Sequence, residues 1–193
     1  MIVNMSSMTN TEKEILDAAV RMFSRYGVKR TSMAELAQEA GVSRQTLYNA
    51  FRNKDDVLKA LIRSFTADAV GEIEAGLVTA RTLGDELDVI FDRMCVAGFD
   101  LVATMPNAQD LIDGFNDAGK EELEASAETF RKIIERVFAP YAESLAKAEL
   151  NPADLSEFVQ RSAKAASRTA RDRENLVRRL QTLKHLCVAA VVR

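Results

Sequence analysis

The chain has 193 residues, of which 47% are apolar and 28% are charged, and 26 Lys and Arg against 29 Asp and Glu give a net charge of −3. This composition fits one large globular domain or two small ones and excludes a disordered or fibrous protein. Glycine and proline number only 8 and 3. Because so few turn residues disfavour β sandwiches and barrels, we expect an all-α chain.

Two further features bear on location. The longest apolar run, from Leu186 to Val192, is far shorter than the ~18 residues of a membrane span. Met1–Asn10 carries no basic residue and no small-residue cleavage site, unlike a signal peptide. We therefore expect a cytoplasmic protein with no membrane partner.

The charge is unevenly distributed. Residues 1–65 carry 10 Lys or Arg and 7 Asp or Glu, a balance of +3, and the remaining residues carry −6. An acidic chain therefore has a mildly basic N-terminal part, which by itself is weak support for a nucleic-acid partner.

The N-terminal part predicts three short helices. After a flexible tail over residues 1–10, Thr11 and Glu14 form a capping-box pattern that predicts the start of the first helix. Ser32 and Glu35 repeat the pattern for a second helix that ends before Gly41. Apolar residues recur at helical spacing along the first helix, at Ile15, Ala19, Met22, Phe23 and Tyr26.

The third helix follows after a tight turn and is capped by Ser43. Two helices joined in this way form a helix-turn-helix, so we place a DNA-binding type of domain at residues 11–53. Asn53 and Asp56 then cap a fourth helix. Within the third helix, Leu47, Ala50 and Phe51 are spaced to point inward.

The opposite face of the third helix is polar and carries no acid. Its residues are Arg44, Gln45, Thr46, Tyr48 and Asn49. Arg pairs with guanine, Gln or Asn pairs with adenine, and the Thr methyl contacts the thymine methyl. The alternative is a merely solvated helix face, which would more often carry Glu and Lys. The stripe therefore favours contact with DNA.

These motifs together resemble the DNA-binding domain of the TetR family of transcriptional regulators (TetR/AcrR-like repressors). The resemblance covers about a quarter of the chain and rests on the AAxxxFxxxG segment from Ala18 to Gly27, the TSMAELAQEAGVS helix and turn, the LYNAF run, and the Lys54-Asp-Asp that opens the fourth helix. One departure is Arg52-Asn53, where many members have a proline and a small residue.

The resemblance implies specific DNA contacts. It implies that the third helix enters the major groove, with Arg44, Gln45 and Thr46 as base readers and Asn49 as a further candidate. Phosphates would meet Thr31, Ser32, the Met33 backbone, Tyr48 and Lys54. Ser43 completes the predicted DNA-binding set.

Residues 54–193 are expected to form a larger helical domain, for about nine helices in total. Apolar residues recur at helical spacing throughout, Pro140 is expected to kink or break one helix, and Asn151-Pro152 looks like the start of another. We see no catalytic signature in this part.

The last helix has a seam of apolar residues at alternating spacings of four and three. On spacing alone, an intramolecular core and a subunit interface are equally good explanations. The resemblance to the TetR family favours a subunit interface, since members of that family typically dimerise through their last two helices. The predicted homodimer interface is Phe158, Ser162, Ala166, Leu176, Leu180, Leu183 and Cys187.

The resemblance also implies a small-molecule effector bound inside the C-terminal domain. Candidate lining residues are bulky or polarisable: Phe91, Met94, Cys95, Phe99, Phe115, Phe130 and Phe138. For each residue taken singly, simple core packing is the favoured alternative. No polar cluster identifies the effector, and we expect no cofactor.

The sequence thus predicts a ligand-responsive regulator that binds double-stranded DNA at a pseudo-palindromic operator, most simply a repressor released by its effector. The alternatives are an effector-independent architectural DNA-binding protein and, less favoured, a helical enzyme. His185 is the sole histidine and has no diagnostic partner. Two distant cysteines add no metal site and predict buried thiols.

Overall fold

The computed structural model describes residues 8–107, 112 and 117–192. In this part of the chain the regular structure is helical and no β-strand occurs, which confirms the all-α prediction. The α-helices in chain order are α1 (Asn10–Tyr26), α2 (Met33–Glu39), α3 (Arg44–Ala50), α4 (Lys54–Leu77), α5 (Leu83–Phe91), α6 (Ala97–Ala103), α7 (Lys120–Phe138), α8 (Ala142–Lys147), α9 (Pro152–Thr169) and α10 (Arg173–Val191).

The helix starts follow side-chain caps. Ser32 and Glu35 form the predicted capping box of α2, Ser43 caps α3, and Asn151 caps α9. The predicted box at Thr11 is wrong: Thr9 and Glu12 form the box, and α1 begins two residues earlier than the sequence pattern indicated. Both threonines are followed three residues later by Glu, so the spacing alone could not separate them.

Two irregular turns interrupt the helices. A π-helical turn over Asp92–Val96 lies between α5 and α6. At Pro140 the chain turns through the 3₁₀ segment Ala139–Tyr141, which confirms the expected break, because proline cannot continue the hydrogen-bond ladder of α7.

The chain forms two compact units. The first, called the head, comprises the described residues of Met1–Ala67 and Ala103–Glu124, and the second, called the body, comprises those of Asp68–Val102 and Ala125–Arg193. This division differs from the predicted boundary at residue 54, because α4 contributes to both units and a later segment joins the head.

The head has its own apolar core. Ile15 and Phe23 of α1, Leu36 of α2, Leu47 of α3 and Leu58 of α4 are fully buried within it. The turn between α2 and α3 needs the left-handed backbone of Gly41, whose φ is 68°, a conformation that glycine adopts without steric cost.

The body core joins residues of α4, α5, the π-helical turn, α7, α8, α9 and α10. Leu87, Ile90, Ile134, Leu145 and Leu176 are fully buried there. Helix α9 packs against α10, and both pack against the π-helical turn. No helix in the described part of the chain is long and apolar enough to cross a membrane.

Candidate nucleic-acid interface and effector core

Helix α3 has one buried side and one exposed side. Leu47 is fully buried in the head core and fixes the orientation of the helix. Arg44, Gln45, Tyr48 and Asn49 are exposed, and Tyr48 keeps 51% of its surface accessible. The predicted separation of the two faces of this helix is therefore confirmed.

Hydrogen bonds order the polar side of α3. The Ser43 hydroxyl accepts from the Thr46 backbone N–H at 3.0 Å and shares a second bond with the Thr46 hydroxyl at 2.8 Å. The Gln45 side-chain Nε2 donates to Oδ1 of Asn49 at 2.8 Å. Ser43 thus caps the helix with its hydroxyl, and the Thr46 hydroxyl is bonded to that cap.

The N-terminus of α2 differs from the predicted phosphate site. Thr31 is 1% exposed and its hydroxyl donates to the Gly27 carbonyl oxygen at 2.8 Å. The prediction that Thr31 presents its side chain to DNA is therefore wrong, because that side chain is buried and fixes the turn after α1.

Ser32 is also engaged at this end. Its backbone N–H and its hydroxyl both donate to Oε2 of Glu35 at 2.7 Å. The hydroxyl bond holds the pKa of Glu35 below its usual value, so this carboxylate keeps its negative charge. A phosphate at Ser32 would be repelled by the Glu35 carboxylate and would have to displace it from the Ser32 hydroxyl. Of the contacts predicted at this helix end, the one through the Met33 backbone therefore stays a prediction.

Lys54 contributes to the structure of the head. Its Nζ donates to the backbone carbonyl of Val28 at 2.9 Å and to that of Lys29 at 3.4 Å. The start of α4 is therefore attached to the turn between α1 and α2. A phosphate contact through the remaining Lys54 proton stays a prediction.

One residue of the head was missed by the sequence reasoning. Asn107 accepts from Nη2 of Arg30 at 2.9 Å and donates through Nδ2 to the Arg25 carbonyl oxygen at 2.7 Å. Its backbone N–H donates to the Ser24 carbonyl oxygen at 3.3 Å. Asn107 thereby satisfies backbone acceptors at the end of α1.

Further contacts tie the same segment to the head. Met105 and Ala118 pack against the head core, and Arg63 forms an ion pair with Glu122. The contacts made by Asn107 join residues 77 to 83 positions apart, and no local pattern in the sequence signals such a pairing.

The predicted effector residues lie in the body core. Five of them are buried in one apolar cluster, and Phe99 is partly buried against it; the five are Phe91, Met94, Cys95, Phe130 and Phe138. Phe115 lies outside the described residues. Met94 and Cys95 belong to the π-helical turn, and such turns occur frequently at functional sites.

One buried polar group was not anticipated here. Gln160 of α9 is buried, at 6% exposed. A side-chain amide has two N–H donors and a carbonyl oxygen, so Gln160 brings polar groups into a largely apolar body.

The predicted dimer seam needs correction. Leu176, Leu180 and Cys187 are buried in the core of their own subunit, so the prediction that they face a second subunit is wrong. Leu183 is half-buried against the same core. The helical spacing identified a buried face correctly, but that face packs within the chain.

The outer sides of α9 and α10 carry large apolar groups instead. Phe158 is 62% exposed and Leu186 is 64% exposed. His185 is exposed beside Leu186, and Ser162 and Ala166 are half-buried. Phe158, Ser162 and Ala166 therefore remain candidates for an interface.

Both cysteines are free and buried, as predicted. Burial raises the pKa of each thiol, Cys95 and Cys187, to about 11. In the described part of the chain, no three His, Cys, Asp or Glu side chains are grouped so that they could hold a metal ion.

The sequence of the head matches known regulators. Residues 15–61 match the family described as "Bacterial regulatory proteins, tetR family". The HTH-type transcriptional regulator AcrR of Shigella flexneri is 39% identical over 80 residues, which cover 42% of this chain and 36% of that protein. Over these residues the chain is similar to regulators of the TetR family. The matched region spans about a third of the length of the first curated relatives.

Solved structures of transcriptional regulators extend the likeness in fold to nearly the whole chain. A TetR transcription regulator from Haloarcula marismortui has a TM-score of 0.71 at 16% identity, covering 94% of this chain and 98% of that one. The regulator FadR from Bacillus subtilis, solved in complex with stearoyl-CoA, has a TM-score of 0.59 at 16% identity, covering 92% and 98%. At these identities the likeness concerns the fold alone.

Proposed function

We propose that the protein is a ligand-responsive transcriptional regulator that binds a pseudo-palindromic operator as a homodimer in the cytoplasm and releases it when a small molecule binds the body. The exposed, acid-free face of α3 carries this proposal. Arg44, Gln45, Tyr48 and Asn49 stand together on a helix that the head core holds by Leu47.

The chemistry of this face suits the major groove. Arg44 has the donors for guanine O6 and N7, and the amides of Gln45 and Asn49 suit adenine. The Tyr48 hydroxyl can donate to a phosphate oxygen and fix the register of the helix on the duplex. Residues 66–193, with their balance of −6, disfavour DNA binding outside the N-terminal part.

A second copy of the chain is the partner that we propose for the outer sides of α9 and α10. Phe158 and Leu186 expose apolar surface there, which a second subunit would bury. The half-buried Ser162 and Ala166 are small enough to let two helices approach closely. Two heads are needed to reach successive major grooves about 34–36 Å apart.

For the effector we propose the apolar core of the body. Phe91, Met94, Phe130 and Phe138 supply apolar and polarisable surface, and the Gln160 amide can satisfy one polar group of a ligand. The acyl-CoA complex of the FadR neighbour supports an elongated apolar ligand as the first class to test.

Transmission to the head would use α4. This helix runs without a break from Lys54 in the head to Leu77 in the body, so a shift of its C-terminal half is expected to move its start. A coupling of about 1–3 kcal/mol would change operator affinity roughly 5–150-fold. An effector that favoured the DNA-binding arrangement would make the protein a co-repressed or activating regulator.

The test of DNA binding is a titration against the DNA upstream of the protein's own gene at increasing salt. If a dimer neutralises about six to ten phosphates, the affinity falls steeply with a negative log–log slope. Arg44→Ala is expected to cost about 1–3 kcal/mol at one base position. An affinity that does not change with salt would contradict the proposal.

The alternative, an effector-independent architectural DNA-binding protein, is distinguished from a ligand-responsive regulator by its response to an effector. It predicts DNA binding with the same salt dependence but with no change when acyl-CoA or another apolar ligand is bound to the body. A ligand that binds the body and alters operator affinity would exclude it.

A further inference from the structure

The two exposed amides of α3 are joined to each other. Gln45 Nε2 donates to Asn49 Oδ1 at 2.8 Å across one helical turn, and residues four apart on a helix are neighbours on its surface. The neighbouring hydroxyls of Ser43 and Thr46 are bonded to each other, so they do not compete for these amides.

The bond leaves the two amides with unequal capacity. A side-chain amide has two N–H donors and one carbonyl oxygen. Gln45 uses one N–H on Asn49 and keeps its carbonyl oxygen and its second N–H. These are the two kinds of group that contact N6 and N7 of adenine in bidentate recognition.

Asn49 is less suited to the same task. Its carbonyl oxygen already accepts from Gln45, so a base that used this oxygen would have to share it or displace the bond. Asn49 also lies one turn further from the N-terminus of α3 than Gln45, and base contacts in helix-turn-helix proteins come chiefly from the N-terminal residues of the recognition helix.

We propose that Gln45 and Asn49 act as one adenine-reading unit, in which Gln45 contacts the base and Asn49 is a positioning residue that holds the Gln45 amide. This inference rests on the proposed function. A free glutamine side chain loses rotational freedom about several bonds when it binds a base. The hydrogen bond to Asn49 restricts part of that freedom already in the unbound protein, so less conformational entropy is lost on binding DNA.

The proposal differs from independent readout in a measurable way. Two independent readers would each control a different base position, and the effects of removing them would add. One unit controls a single position, and removing both residues costs no more discrimination than removing Gln45 alone.

The experiment uses the full-length protein and an operator selected from a random duplex library. Binding to this operator and to duplexes carrying each single base-pair change is measured for wild type, Gln45→Ala, Asn49→Ala, the double variant and Asn49→Asp. All these changes are on exposed positions, and thermal melting of each variant verifies that the head is folded.

We expect wild type to prefer one A·T pair roughly tenfold over the alternatives, and Gln45→Ala to abolish that preference. Asn49→Ala should weaken it at the same pair and at no other, and the double variant should match Gln45→Ala. Asn49→Asp keeps an acceptor for Gln45, so it should keep the preference while its added charge weakens binding to all sequences alike.

Two results would overturn the proposal that Gln45 and Asn49 act as one unit. One is that Asn49→Ala changes the preference at a different base position, and the other is that the two single effects add. Both results are compatible with a wild-type protein that binds its operator in a salt-dependent manner. They would therefore contradict this inference without contradicting the proposed function. A wild-type chain that selects no sequence at all would overturn the proposed function and this inference together.

Discussion

The head and the body present their functional candidates in opposite ways. In the head, the candidate DNA-binding groups of α3 stand exposed on a helix of seven residues that is fixed by short-range caps. In the body, the candidate effector residues are buried in one continuous core. A recognition surface therefore stands out from a short stretch of sequence, whereas a ligand site in a helical core shares its residue types with ordinary packing.

The largest expected effect contrasts two phenylalanines of the body. Phe138 is fully buried and Phe158 is mostly exposed. Phe138→Ala leaves a cavity and is expected to lower the free energy of unfolding by about 3–5 kcal/mol. Phe158→Ala is expected to leave subunit stability nearly unchanged and to shift the proposed dimer toward monomer, measured by light scattering across a dilution series.

The same two variants also test whether Phe158 lies outside the core of the body. If Phe158→Ala lowers subunit stability as much as Phe138→Ala does, then Phe158 belongs to a core and the outer sides of α9 and α10 are misassigned. A wild-type protein that is monomeric at micromolar concentration would equally count against the proposed interface.

The head has a long-range contact of its own at Asn107. Asn107→Ala removes the acceptor of Arg30 and the donor to the Arg25 carbonyl. Hydrogen bonds to charged groups contribute about 1.5–3 kcal/mol, so we expect a loss near the lower end at this half-exposed position, measured by denaturant unfolding. In a double-mutant cycle with Arg30→Ala, the two changes should cost less together than the sum of the single ones; full additivity would contradict the contact.

Two glycines of α4 provide a matched test of packing in the body. A Cβ at Gly76 would lie 2.6 Å from Cγ1 of Val89, whereas at Gly71 nothing lies within 4 Å. Gly76→Ala is expected to destabilise the body by about 1–2 kcal/mol. Gly71→Ala is expected to stabilise the helix by about 0.5–1 kcal/mol.

The cause of the Gly76 effect can be isolated. Adding Val89→Ala to Gly76→Ala removes the clashing methyl groups and should restore part of the lost stability. Equal thermal shifts for Gly71→Ala and Gly76→Ala would show that α4 and α5 do not approach each other as described.

The smallest effect concerns the thiols. With a pKa of about 11 for both Cys95 and Cys187, only about one thiol in a thousand is ionised at pH 8. Alkylation of the native protein at pH 8 should therefore be slow, should speed up as pH rises toward 11, and should become rapid in denaturant. Rapid labelling of either cysteine in the native protein would contradict the described burial.

Much of the head could be predicted because its signals are local. The Ser32–Glu35 box, the Ser43 cap and the two faces of α3 all depend on residues within four positions of one another. Asn107 could not be predicted, because its partners at the end of α1 are distant in sequence.

The body shows the limit of periodicity. The spacing of Leu176 and Leu180 predicts a buried face on α10, and that face is buried. Spacing does not tell whether the covering surface belongs to the same chain or to another one, which is why the interface prediction was wrong there. Likewise, burial of Phe138 among core residues does not by itself separate a ligand site from packing.

The most direct test of the central claim is hydrogen exchange of the full-length protein with and without a saturating operator duplex. If α3 lies in the major groove, exchange slows in peptides that cover residues 43–51, and Arg44→Ala reduces this protection at equal DNA concentration. Unchanged exchange over residues 43–51 with DNA bound, or slowing confined to the body, would contradict the account.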